Sequence, residues 1–177
     1  MSATDQAEIM KAAGKCWLAA LVFAPCAAMA QEPAGCDKFK FPVDREQAAL
    51  ADPQKVVLTN GGALDVGKPF ETRLASNDAL QFEHAPERTP APASYGAVLK
   101  LSSTPVAGDY TVSLSAPAWL DVLKDGAPVR PSGFSGVKDC PNIRKVLKYQ
   151  LSAKPTTIQI SNVTDKSIAI VVLSGAH

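Results

Sequence analysis

Histidine is scarce: the 177-residue chain has two, His84 and His177. A non-haem iron centre needs two imidazoles and a carboxylate with open positions beside them. His84, Glu87 and His177 are the set this chain offers. His84-x-x-Glu87 sits in a proline-rich stretch and His177 is the last residue, so a solvated loop and a tail are the simpler reading. There is no CxxC pair, no phosphate-cradling glycine loop with its lysine, and no G-x-S-x-G elbow. Those absences exclude the common zinc modules, P-loop chemistry and the serine-hydrolase nucleophile turn. A dominant charge is lacking too: 18 basic and 17 acidic residues leave a net +1. Nothing electrostatic therefore recommends nucleic acid or an anionic membrane as partner.

What is present begins with an export signature. Lys11 and Lys15 precede an apolar run over residues 16–24, and Ala28-Met29-Ala30 gives a small-x-small site before Gln31. Residues 1–30 read as a secretory signal peptide. The run is well short of the roughly 20 residues that span a bilayer, so no stable membrane insertion is expected after cleavage. MKAAGK makes a compact basic start by itself, so translation is expected to begin at Met10. Cleavage removes Cys16 and Cys26 and leaves Cys36 and Cys140. One remaining pair in an exported chain is expected to form a disulfide in a periplasmic or secreted protein.

The remaining chain reads as an arm and short helix over residues 31–54, then a β domain over residues 55–177. Residues 44–51 are good helix formers, with Asp44 as N-cap and Pro53 as terminator. Strand patterns follow at 55–59, 70–74, 79–83, 97–101, 110–115, 118–123, 143–151, 156–160 and 167–173. Pro86, Pro90 and Pro92 make residues 84–94 a loop. The stretch GDYTVSLSAPAWLDVLKDG, residues 108–126, reads as two strands and a turn at Asp125-Gly126. Ser132-Gly133-Phe134-Ser135-Gly136 reads as a loop, and residues 162–166 as a turn carrying the sequon Asn162-Val163-Thr164. The expected fold is mainly β: an antiparallel β-sandwich, jelly-roll-like, with one short N-terminal helix.

Binding candidates are few. Arg144, Lys145 and Lys148 form a basic cluster in which 144 and 148 share a strand face and 145 opposes them. A solvated face is the default, and an anionic ligand or acidic partner is the sharper reading. Trp119, Tyr110 and Tyr149 suit either a core or an aromatic platform for a sugar or peptide. Asp121, Asp125 and Asp139 raise calcium, although Asp125 is explained by the turn before Gly126.

Four segments also carry a family likeness: CDKFKFPVDRE at 36–46, GDYTVSLS at 108–115, AWLDVLKDG at 118–126 and DCPNIRK at 139–145. Together they resemble a group of small exported bacterial proteins often labelled homogentisate 1,2-dioxygenase. The large cupin-type enzymes of that name have a histidine-rich iron site, which this shorter chain does not repeat. The expected function is a non-enzymatic periplasmic module that binds a small ligand, a glycan or a partner protein. The alternative that the label implies is a non-haem-iron dioxygenase acting on homogentisate or a related aromatic, with His84, Glu87 and His177 as ligands.

Overall fold

The structure, a computed structural model, describes residues 32–175. The expected signal peptide, the Met10 start and His177 lie outside the described residues. Period-two alternation puts apolar side chains on one face of a strand, and that face must be covered. The chain does this with two sheets. The first has the order β1 (Val56–Leu58), β3 (Pro69–Arg73), β12 (Ser167–Ser174), β6 (Gly108–Leu114), β10 (Lys145–Leu151) and β9 (Gly133–Gly136). The second has β2 (Ala63–Leu64), β5 (Tyr95–Leu101), β11 (Thr156–Val163), β7 (Trp119–Lys124) and β8 (Ala127–Val129), with β4 (Ala75–Ser76) also on β5. The inner faces meet through residues such as Val112, Leu114, Leu147 and Ile170 from one sheet and Leu99, Leu120, Ile158 and Ile160 from the other. The result is the expected β-sandwich. Its central strands are antiparallel, but the edge pairs β1–β3 and β2–β5 are parallel.

The first sheet is covered on its outer side as well. Helix α1 (Asp44–Ala51) lays Leu50 there, over Val146, Ala169, Val171 and Leu173. Burial on both faces explains why β12 reads as the unbroken apolar run Ile168–Leu173 and not as an alternation. The helix has the expected bounds but not the expected cap. Val43 occupies the N-cap position, no side chain caps the helix, and Asp44 is its first residue. Asp44 and Glu46 still place acidic groups in the first turn, where the helix dipole favours them. The Glu46 carboxylate is buried and accepts a 2.8 Å bond from the Thr111 hydroxyl.

Cys36 and Cys140 are joined, closing a sequence separation of 104 residues and tying the arm beside this covered face. Ala34 bridges Lys138 in parallel next to the bond.

Three further readings change. Residues 79–83 form no strand: a one-turn 3-10 segment, Asn77–Ala79, leads into an irregular strap that continues to residue 94. Residues 133–136 are the edge strand β9, not a loop. β11 runs through Asn162 to Val163, with a register shift where Asn162 takes a φ of 61°. The 108–126 stretch does contain two strands, but they are not one hairpin. β6 belongs to the first sheet and β7 to the second, so Ser115–Ala118 carries the chain across the sandwich. The hairpin is β7–β8, turned by Asp125 (φ 53°) and Gly126 (φ 75°), the two positive-φ positions a tight two-residue turn demands.

Candidate functional site

The strap over residues 80–94 lies on the outer face of the second sheet. Without a strand partner its backbone groups need side-chain partners, and three outward-facing residues supply them. Gln159, almost fully buried on β11, accepts from the Glu83 and His84 N–H groups (2.7 and 3.1 Å) and donates to the His84 carbonyl (2.9 Å). Asn162 Oδ1 accepts from Ala91 N–H at 2.7 Å. Asp121 Oδ2 accepts from Glu87 N–H at 3.4 Å. Gly96 on β5 is required under the start of this cover, because a Cβ there would collide with the Ile160 carbonyl and the Asn77 amide.

Beside the strap, β8 leaves the sheet early. It pairs Val122 with Val129, Leu123 with Pro128 and Lys124 with Ala127, then stops. Pro131 has no N–H to extend the ladder and biases Arg130 towards an extended conformation. The edge of β7 on that side therefore has no strand partner at Leu120 and Asp121. A cavity of about 260 Å³ occupies this place. His84 and Glu87 line it from the strap, Leu120, Asp121 and Val122 from β7, Pro128, Val129, Arg130 and Pro131 from β8 and its exit, and Tyr149 from β10.

The polar groups here are unequal. Asp121 is committed: Oδ1 accepts from Trp119 Nε1 at 3.0 Å and Oδ2 from Glu87 N–H. Burial pushes its carboxyl pKa above the usual value, and the Trp119 bond opposes that rise. His84 Nδ1 lies 2.8 Å from the Ala85 carbonyl oxygen. Burial, reinforced by the Asp121 and Glu87 charges, holds the Tyr149 phenol well above its normal pKa, so it stays a neutral donor. Neither the Tyr149 hydroxyl nor the Arg130 guanidinium has a hydrogen-bond or ion-pair partner among the described residues.

Trp119 connects this cavity to a second cluster. The Arg88 guanidinium lies 6.0 Å from its ring centroid and Lys145 Nζ 5.6 Å from it. Lys145 Nζ is also 5.2 Å from the Phe134 ring and donates to the Ala118 carbonyl at 2.7 Å. Burial pushes the Lys145 pKa down, and the Arg144 and Arg88 charges push it further; Asp121 and Glu32 act the other way.

The structure thus gathers His84, Glu87 and Asp121 at one cavity, with Trp119 and Lys145 adjoining. It does not unite the basic triplet. Arg144 bonds Glu32 and the Val137 carbonyl, both at 2.6 Å, and Lys148 Nζ lies 4.2 Å from the Phe41 ring, on the arm side of the sheet. Tyr110 donates to the Val106 carbonyl at 2.8 Å and contributes to the core. Among the described residues no three His, Cys, Asp or Glu side chains are grouped to hold a metal ion, so Asp121, Asp125 and Asp139 form no calcium cage. Asp125 is the turn residue and pairs with Lys154 at 3.3 Å.

Arg130, Gln159, Arg88 and Phe134 were not legible as site residues. One signal was available: Gln159 is a long amide set between Ile158 and Ile160, in the outward register of β11. Comparison of the chain with protein-family models, curated proteins and solved structures finds no match.

Proposed function

We propose that the protein is an exported binding module that takes a small ligand, about one ring in size, at the uncovered edge of β7. The carrying observation is the 260 Å³ cavity, where an apolar wall of Leu120, Val122 and two prolines meets Arg130 and Tyr149. Small-molecule sites have this mixture of apolar lining and a few convergent polar groups. Typical pockets are about 300–1,000 Å³, so this one suits a monosaccharide or a small aromatic acid better than an extended chain. The Cys36–Cys140 bond fits an oxidising compartment, periplasmic or extracellular. No described helix is long and apolar enough to cross a membrane.

A thermal-shift screen of monosaccharides, aromatic acids and divalent metals tests the reading. A true ligand at about 100 times its Kd adds about 2.7 kcal/mol, and Tyr149→Phe with Arg130→Gln removes most of that shift. A shift unchanged in the double variant places the ligand elsewhere. The dioxygenase reading has one observation in its favour, that His84 and Glu87, two of its three candidate ligands, border the same cavity. It predicts oxygen uptake with homogentisate and ferrous iron, lost in His84→Ala. Ferrous iron that neither binds nor supports uptake ends it.

A further inference from the structure

Lys145 is a cation with one neutral acceptor and no counter-charge beside it. Its ammonium is half-buried between the Trp119 and Phe134 rings, and the one acceptor within hydrogen-bond reach is the Ala118 carbonyl. No carboxylate lies within ion-pair distance of it among the described residues. The nearby cations make matters worse. Arg144 is neutralised by Glu32, but Arg88 rides on the Trp119 ring with no carboxylate partner. A half-buried cation beside a second unpaired cation is costly, and sites arranged in this way are candidates for function. Phe134 is 48% exposed on the edge strand β9, so a flat apolar surface stands open 5.2 Å from Lys145 Nζ.

We propose that Lys145 and Arg88 form an anion-reading site that takes a carboxylate borne on a six-membered ring, the ring lying against Phe134. Two sources share that chemistry, a uronic acid and an aromatic acid. The site is separate from the β7-edge cavity and does not depend on what the cavity binds. A carboxylate here supplies the acceptors that Lys145 lacks and neutralises Arg88. Cation–π contact with Trp119 holds both cations in place meanwhile.

Isothermal titration of the full chain with galacturonate, benzoate, galactose and acetate tests this. Binding of galacturonate or benzoate, or of both, that persists in Tyr149→Phe with Arg130→Gln supports the site and identifies the source; at this site galactose and acetate bind at least about tenfold more weakly. Lys145→Gln and Arg88→Gln each weaken the ring acid about tenfold or more, and Phe134→Ala weakens it several-fold without affecting acetate. Lys166→Gln, an exposed turn substitution, retains full affinity. Arg88 is on the exposed strap, so its variant reports even if Lys145→Gln folds poorly. The proposal is overturned by any of three results: acetate binding as well as the ring acids, no binding of either acid up to roughly 10 mM, or wild-type affinity in Arg88→Gln.

Discussion

Asp121 and Lys145 are neighbours in space and opposite in sign, and both carry their charge at a cost set by burial. For Asp121 the folded carboxyl titrates above its ordinary 3.8, chiefly through desolvation. Folding then holds the proton more tightly than the unfolded chain does, so the contribution of Asp121 to stability falls as pH rises from 3.8 through the raised value. Asp121→Asn removes this dependence while keeping an acceptor for Trp119 Nε1. Chemical denaturation across that range is expected to show the variant gaining on the native protein as pH rises, then levelling. A gain that shrinks with pH contradicts the assignment. Lys145 runs the other way: its folded pKa lies below 10.5, so stability rises with pH from the lowered value to 10.5. Lys145→Gln therefore has its greatest advantage over the native protein below that window and loses it across the window. The charged groups that set this balance are Arg144 and Arg88 against Asp121 and Glu32.

Among the elements, the strap shows best how a polar side chain substitutes for a sheet. Gln159 replaces three ladder bonds with its own amide. Gln159→Leu keeps the volume but leaves two N–H groups and a carbonyl without that partner. The expected loss is about 2 kcal/mol, since water reaches part of the strap and limits the penalty, with faster proteolytic cutting within residues 84–94. Unchanged stability and cutting refute the latch. The same residue marks the limit of sequence reading. Alternation at 79–83 looked like a strand because Leu80 and Phe82 are apolar, yet Gln159 engages the backbone of Glu83 and His84 before a ladder can. Long alternating runs such as 110–114 and 156–160 were legible because burial of one face repeats through the run. Two-residue strands such as β2 and β4 carry too few positions for any period. The cavity was half legible: His84, Glu87 and Asp121 stood out by chemistry, whereas Arg130 depends on where β8 leaves the sheet. Alternation also cannot assign a strand to a sheet, so residues 108–126 showed two strands and a turn but not that the two strands belong to different sheets.

For the whole molecule, three layers stand where the sequence suggested two, and the third is pinned by the Cys36–Cys140 bond. The chain-entropy account gives a loop of 104 residues about 4–5 kcal/mol. Cys36→Ser with Cys140→Ser is expected to lose about 4 kcal/mol and to lower Tm by roughly 10 °C. Dye binding should rise as the arm and α1 release their hold on Val146, Val171 and Leu173. A Tm within a degree or two of the native value would show that packing alone retains the layer. The strand order has a different consequence. β12, the last strand, lies between β3 and β6, so a nascent chain has a gap in the middle of its first sheet until residue 167 and beyond have been made. Long-range pairing of this kind folds slowly. Such a polypeptide keeps the middle of that sheet open for nearly its whole synthesis, and one late segment closes it.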